Sequence, residues 1–169
     1  MSVKFSPEPK ILAIDPGTRE MGVAVLSGHE LEYYAVKTVT RRESASSILK
    51  QTRAIVRKLI ALHKPQILAL ERPFLGYGNR SSLLVTVCQD LRQLGRQHGC
   101  EIIDVNPKTA KKLVAGTGAA TKREVARVVC SKFPELSIYL NQVHRYQEKY
   151  WQNMFDAVGI ALSAVALSG

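Results

Sequence analysis

The chain has 169 residues, with 24 Lys+Arg against 14 Asp+Glu, for a formal net charge of +10. Hydrophobic residues make up 46%, too many for a disordered basic tail, and the length suits one domain (residues 1–169) with a core of its own. No apolar run approaches the roughly 18 residues of a membrane span, Met1–Pro7 lacks the apolar centre of a signal peptide, and three cysteines without CxxC spacing (Cys88, Cys100, Cys130) fit neither a disulfide framework nor a zinc site, so the expectation is a reduced, cytoplasmic protein with no membrane contact.

Ile11-Leu12-Ala13-Ile14 is a short apolar run that stops at Asp15-Pro16-Gly17, the pattern of a buried strand ending in a turn. Gly22–Leu26 reads as a second strand, Ser27-Gly28-His29 as a hairpin-sized break, and Leu31–Thr38 as a third strand. The period then changes. Ile48, Ile55, Leu59 and Leu62 fall at helical spacing within Ser44–His63, and Pro65 ends that helix. Gln66–Leu70 is a fourth strand, ending at Glu71. A glycine-containing loop over Pro73–Arg80 leads into a helix over Ser81–His98, and Glu101–Val105 is the fifth strand. Asn106-Pro107 opens a short helix closed by Gly116-Thr117-Gly118. Thr121 and Glu124 have the spacing of a capping box for the helix Lys122–Phe133. Residues 135–147 are polar and ambiguous, and Tyr150–Leu167 forms the last helix. The order predicts an α/β fold: a five-stranded mixed sheet, an antiparallel meander followed by parallel crossovers, flanked by helices.

Two carboxylates stand where buried strands end. Asp15 and Glu71 each follow a run of apolar residues, at the sheet edge where ligand sites of open α/β folds lie. Asp156 sits among Phe155, Ala157, Val158, Ile160 and Ala161, where an unpaired acid is costly. Three acids from distant segments suit Mg²⁺ or Mn²⁺, which prefer oxygen ligands. Two such ions about 3.5–4 Å apart would stabilise both the attacking and leaving oxygens of a phosphodiester. Blander roles stay open: Asp15 as a turn former, Glu71 paired with Arg72, Asp156 in a buried ion pair. A P-loop and HExxH are absent, and the four histidines show no ligand spacing. The net charge favours a polyanionic partner, nucleic acid first.

Ile14-Asp15-Pro16-Gly17, Leu70-Glu71-Arg72-Pro73-Phe74, Gly116-Thr117-Gly118-Ala119-Ala120-Thr121-Lys122 and Asp156–Leu162, in this order, resemble the RuvC family of Holliday junction resolvases over nearly the whole chain. The resemblance implies a ribonuclease H-like fold and a homodimer that binds four-way junction DNA. It implies symmetrical nicking that leaves a 5′ phosphate and a 3′ hydroxyl, and a branch-migration helicase complex as a partner. It makes Asp15, Glu71 and Asp156 the metal ligands and Phe74 an aromatic that stacks near the crossover. It sets Lys111 and Lys122 beside the scissile phosphates. Ordinary loop packing for Phe74 and a solvated helix face for the lysines are the alternatives.

One position departs from the pattern. The family has a further ligand, usually Asp and sometimes His, three residues before the acid matching Asp156; here it is Asn153. The spacing keeps both side chains on one helix face, but an amide oxygen brings no charge. Three readings stay open. The site works naturally with Asn153 as a catalytic participant; another residue substitutes, His144 or Glu148 being nearest upstream; or Asn has replaced Asp and traps an uncleaved state.

The excess charge falls in two blocks. Arg41, Arg42, Lys50, Arg53, Arg57 and Lys58 form one; Lys108, Lys111, Lys112, Lys122, Arg123, Arg127 and Lys132 form the other. Such cations hold phosphates without reading sequence, and Lys111, Lys112, Lys122 and Arg123 are assigned to DNA. Lys122 opposes the dipole of the helix it begins, a conflict that a bound phosphate would relieve. Arg80, in the Gly76–Arg80 loop, is assigned to a base edge, with a phosphate or helix-cap role equally open. Leu83, Leu84, Val87, Leu91 and Leu94 give the fourth-strand-following helix an apolar stripe, for a dimer interface or for its own core. The expected function is a metal-dependent, structure-selective DNA endonuclease. Its rivals are a junction binder that does not cut, an RNA-processing nuclease of the same fold, and an actin-like ATPase, for which the chain is too short.

Overall fold

The computed structural model describes residues 8–39, 44–73, 79–141 and 145–169. The strands are β1 Lys10–Asp15, β2 Glu20–Ser27, β3 Glu30–Thr38, β4 Ile67–Glu71 and β5 Glu101–Val105. The helices are α1 Ala45–His63, α2 Asn79–Gln97, α3 Pro107–Ala115, α4 Lys122–Lys132, α5 Ser137–Leu140 and α6 Arg145–Ser168. The sheet order is β3-β2-β1-β4-β5. β1, β2 and β3 pair antiparallel, while β1, β4 and β5 run parallel. The mixed sheet expected from the sequence is therefore present.

Local chemistry sets the helix ends. Ser44 caps α1 by accepting the Ser47 N–H (3.2 Å), and α1 stops where Lys64 turns left-handed (φ 50°) before Pro65. Asn106 caps α3, Pro107 occupies its first turn, and Gly116 ends it at φ 81°, a conformation that glycine adopts without strain. The Thr121–Glu124 capping box closes in both directions. The exposed Glu124 carboxylate is held below its usual range by the Thr121 N–H and hydroxyl.

Both sheet faces are covered. Ile11, Ala13, Ala24, Ile67 and Ala69 face one core with Met154, Phe155, Val158 and Ala161 of α6 and Val125 and Val129 of α4. Leu12, Ile14, Val23, Leu68 and Leu70 face the other, with Val56 and Ile60 of α1 and Val87, Leu91 and Leu94 of α2. This alternation explains why the strands read as continuous apolar runs: each residue is buried on one side or the other.

Several expectations change. The last helix starts at Arg145, one turn and more before Tyr150, and the ambiguous segment holds a 3₁₀ turn at Pro134–Leu136 followed by α5. The polar start of α6 hid it: Gln147, Glu148 and Lys149 are exposed, and burial begins beyond them. The α2 stripe belongs mainly to the chain's own core: Val87, Leu91 and Leu94 are at most 1% exposed, and Leu83 packs against the same cluster. Phe74, Gly76, Tyr77, Gly78, Arg41, Arg42 and His144 lie outside the described residues.

Candidate active site

Asp15 ends β1 and Glu71 ends β4, on adjacent parallel strands. Ala13 and Ala69, two residues earlier, face the α6 side, so the pleat turns both carboxylates to that side too. Asp156 meets them from α6. Asp15 and Glu71 are near enough for each to act on the titration of the other. Burial pushes Asp15 well above the usual carboxylate range, and the charges of Asp156 and Glu71 push it further. Burial also raises Glu71, with Asp156 adding to the rise; its hydrogen bond with Asp15 acts in the opposite direction. Of the blander roles, the ion pair does describe Asp156, which meets Lys122; among the described residues Glu71 has no ion pair with Arg72, and the three acids act on one another as a cluster.

Lys122 is the cluster's countercharge. Its Nζ lies 2.7 Å from Asp156 Oδ2, and Gln152 Nε2 donates to Asp156 Oδ1 at 2.8 Å. Burial works against the lysine's charge, but Asp156, Asp15 and Glu71 outweigh it and hold the ammonium above its usual range. The conflict between Lys122 and the dipole of α4 is thereby met within the protein. As arranged, no three His, Cys, Asp or Glu side chains among the described residues close around a cation position. The donor set nevertheless fits a hard divalent ion: three carboxyl groups and an amide oxygen, with burial and mutual repulsion raising Asp15 and Glu71 above their ordinary values.

Two clefts meet at Glu71. One is lined by Glu71, Lys111, Lys122, Asp156, Pro107 and Gly159. The other is lined by Asp15, Glu71, Arg72, Leu84, Cys88 and Pro107. Burial pushes the Cys88 thiol up to about 11, so it is no nucleophile at neutral pH.

Asn153 lies one turn before Asp156. Its Nδ2 donates to Glu20 Oε2 (3.2 Å) and to the Tyr150 carbonyl (3.2 Å). The acid in contact with Asn153 is Glu20 of β2; of the upstream candidates, Glu148, exposed and 4.0 Å from Arg123, lines a cleft with Asn153 and Lys122, and His144 is outside the described residues. Glu20 and Gln152 are the two site residues that sequence reasoning missed.

The basic residues divide. Lys111 and Lys122 share a cleft with the acids, while Lys112 and Arg123 are exposed on α3 and α4 nearby. Arg80 falls within α2, so its assigned place in a loop is corrected to a first helical turn. Lys50, Arg53, Arg57 and Lys58 of the first basic block lie on α1, which packs on the opposite sheet face, and Arg53 is engaged by Asp90 at 2.5 Å. These four do not surround the acids.

A mixed five-stranded sheet with an acid cluster at the ends of its two central parallel strands defines a nuclease-like α/β architecture of the ribonuclease H type. Residues 11–144 match the family model of Crossover junction endodeoxyribonuclease RuvC. A RuvC of Photobacterium profundum is 33% identical over 134 residues, 72% of each protein. That of Chromohalobacter salexigens is 31% identical over 131 residues, 70% of this chain and 66% of the relative. Thermus thermophilus RuvC in complex with a Holliday junction substrate superposes with a TM-score of 0.77 at 23% identity, covering 95% of both chains. The yeast mitochondrial Holliday junction resolvase Ydc2 gives a TM-score of 0.66 at 15% identity, covering 94% of this chain and 78% of its own. The chain belongs to the RuvC family. The family match ends before Asn153 and Asp156, so the placing of these two beside Asp15 and Glu71 comes from the fold.

Proposed function

We propose that this protein is a structure-selective DNA endonuclease that resolves four-way junctions by divalent-metal-dependent phosphodiester hydrolysis, acting as a homodimer in recombination and repair. The convergence of Asp15, Glu71 and Asp156 beside Lys122 on a RuvC fold carries this reading. Asp15, Glu71 and Asp156 hold Mg²⁺ or Mn²⁺, two ions in the full site, and the Asn153 amide oxygen joins them. Bound there, the metal supplies charge stabilisation at the phosphate and a water acidified for attack.

The chain's own residues do the rest. Gln152 fixes the Asp156 carboxylate by its 2.8 Å hydrogen bond. Asp15 and Glu71, which burial raises above their ordinary values, would have to be ionised to hold a cation. Lys122, 64% exposed at its side chain, is free to exchange Asp156 for a phosphate oxygen, and Lys111 flanks Glu71 across the same cleft. Lys112 and Arg123 extend the positive surface along the DNA, and Arg80, in the first turn of α2, is assigned to DNA as well. Phe74, outside the described residues, stacks on a base near the crossover. Branch-migration helicase contact and a cytoplasmic setting complete the proposal.

Lys111→Ala with Lys122→Ala is expected to weaken junction binding and to lower the slope of log K against log salt by about one for each phosphate that is no longer held. Unchanged binding across a salt series, with unchanged nicking, would remove both lysines from the DNA surface.

The acid cluster also sets a pH dependence. Asp15 and Glu71 titrate above their ordinary values when folded, so their contribution to stability is present below those values. It is lost as pH rises through the raised ones. Metal binding needs both deprotonated, and so it displaces a proton and tightens with pH. The rise in melting temperature on adding Mn²⁺ is therefore expected to be larger at about pH 8 than at about pH 5. An equal rise at both would show that no proton is displaced.

Asn153 favours a second reading, junction binding without cleavage, because it removes one charge from the ligand set. Nicking of a synthetic four-way junction by the chain as it stands separates the two.

A further inference from the structure

The acid missing from position 153 has a counterpart on another element. We infer that Glu20 is a positioning residue of the metal site: it returns the lost negative charge and turns the Asn153 amide so that Oδ1 faces the acid cluster. This rests on the metal-site reading above.

Three observations carry it. First, the pleat puts Glu20 on the right face. Asp15 pairs with Gly22, and Ala13 with Ala24, which lies in the α6-side core. Glu20, Gly22 and Ala24 therefore share that face with Asp15 and Glu71. Across β2, β1 and β4 the sheet ends present Glu20, Asp15 and Glu71 to α6.

Second, Gly22 lets α6 come close enough for the contact. A Cβ at position 22 would stand 1.8 Å from the Asn153 carbonyl oxygen. Position 22 is thus bare backbone under the helix turn that carries Asn153, and Glu20, two residues along, reaches that turn's side chain.

Third, the hydrogen-bond chemistry fixes the amide. Asn153 Nδ2 has two partners, the Glu20 carboxylate and the Tyr150 carbonyl, and both are acceptors only. The end of the amide that meets them must be the NH₂ group. Oδ1 is then the end of the amide left to accept from, or ligate, a partner other than these two. Among the described residues no lysine or arginine pairs with Glu20, so its charge acts on Asn153. A carboxylate behind a ligand raises that ligand's basicity and locks its orientation, as it does for metal-bound histidines. Carboxylate at 20 with amide at 153 is then the reverse of an amide at 20 with carboxylate at 153, with one charge and one N–H···O contact in either case.

The swap can be tested with Mn²⁺ alone, by calorimetric titration and by the Mn²⁺-induced rise in melting temperature, without DNA. Glu20→Gln keeps size and hydrogen bonding but removes the charge. It is expected to weaken Mn²⁺ binding about 10–100-fold, the usual range for an outer-shell partner. The double variant Glu20→Gln/Asn153→Asp is expected to return to near the starting affinity, the new amide at position 20 donating to the new carboxylate at position 153. A purely structural Glu20 would leave Mn²⁺ affinity unchanged in Glu20→Gln, or the double variant would bind no better than the single; either result overturns the inference. Glu71→Gln serves as the control. If it loses the Mn²⁺ response while Glu20→Gln does not, Glu20 alone is misassigned. If it keeps the response, the metal site itself is wrong and the inference falls with it.

Discussion

Replacing Asp15 by Asn is expected to abolish junction nicking while making the metal-free protein more stable. The two effects have one cause. Asp15 is buried beside Glu71 and Asp156, and its carboxyl resists ionisation for that reason. An amide keeps the shape and removes the repulsion. At neutral pH, above the ordinary carboxylate range, the unfolded chain ionises Asp15 freely and the folded one does so at a cost, and Asn removes that cost. A gain of about 1 kcal/mol, or roughly 2–4 °C in melting temperature, is the expected scale. Loss of a ligand removes several kcal/mol of charge stabilisation in the reaction, and at about 1.4 kcal/mol per factor of ten this is on the order of 10³-fold in rate. Junction affinity in EDTA is unchanged or tighter, since a charge that repels phosphate has gone. Melting curves in EDTA and single-turnover nicking measure both. A lower melting temperature for the variant at neutral pH would mean that Asp15 serves the fold and not the reaction.

Gly22→Ala is expected to be the most damaging single-methyl change among the described glycines. The added carbon would meet the Asn153 backbone oxygen at 1.8 Å and its carbonyl carbon at 2.4 Å. No flexible side chain can yield there, so α6 has to move off the sheet. Overpacking of this kind costs typically 1–3 kcal/mol and sometimes more, about 2–4 °C per kcal/mol in a chain of this length. The same movement carries Asp156 away from Asp15, and a misplacement of about 1 Å can cost a hundredfold in rate. The variant is therefore expected to lose Mn²⁺ binding and nicking even at temperatures where it remains folded. Gly159→Ala is the comparison, because its Cβ would meet only Val125 at 3.7 Å, an ordinary contact. Similar losses in the two variants would show that the tight approach at Gly22 has no special role.

Much of this site could be read from the chain because its carboxylates are attached to strongly patterned elements. A run of four apolar residues ending at Asp15, and another ending at Glu71, fixes where the strands stop and hence where the acids stand. The Thr121–Glu124 capping box fixes where α4 begins and so where Lys122 is. What escaped the sequence is whatever depends on which sheet face a helix covers. The α1 cations look adjacent to the site in sequence but lie on the other side of the sheet. The α2 stripe is apolar for the chain's own core, and an interface would have asked for the same residues. Glu20 and Asn153 are 133 positions apart, and their contact depends on a glycine between two strand residues, whose meaning appears only when α6 is set against it. Lys122 meets Asp156 through the packing of α4 on α6, which leaves no trace in local pattern, whereas Gln152, four residues before Asp156 on α6, stands at a spacing the sequence does carry.

Cleavage of junctions with Asn153 in place is what the whole site reading stands on. It is decided by nicking of a synthetic four-way DNA junction by the unaltered protein in Mg²⁺ and in Mn²⁺, beside EDTA and beside Asn153→Asp. Paired nicks at symmetrical positions are expected in either metal, and none in EDTA. Tight junction binding without nicks in both metals, with cleavage appearing only in Asn153→Asp, would show instead that the chain holds junctions and does not cut them.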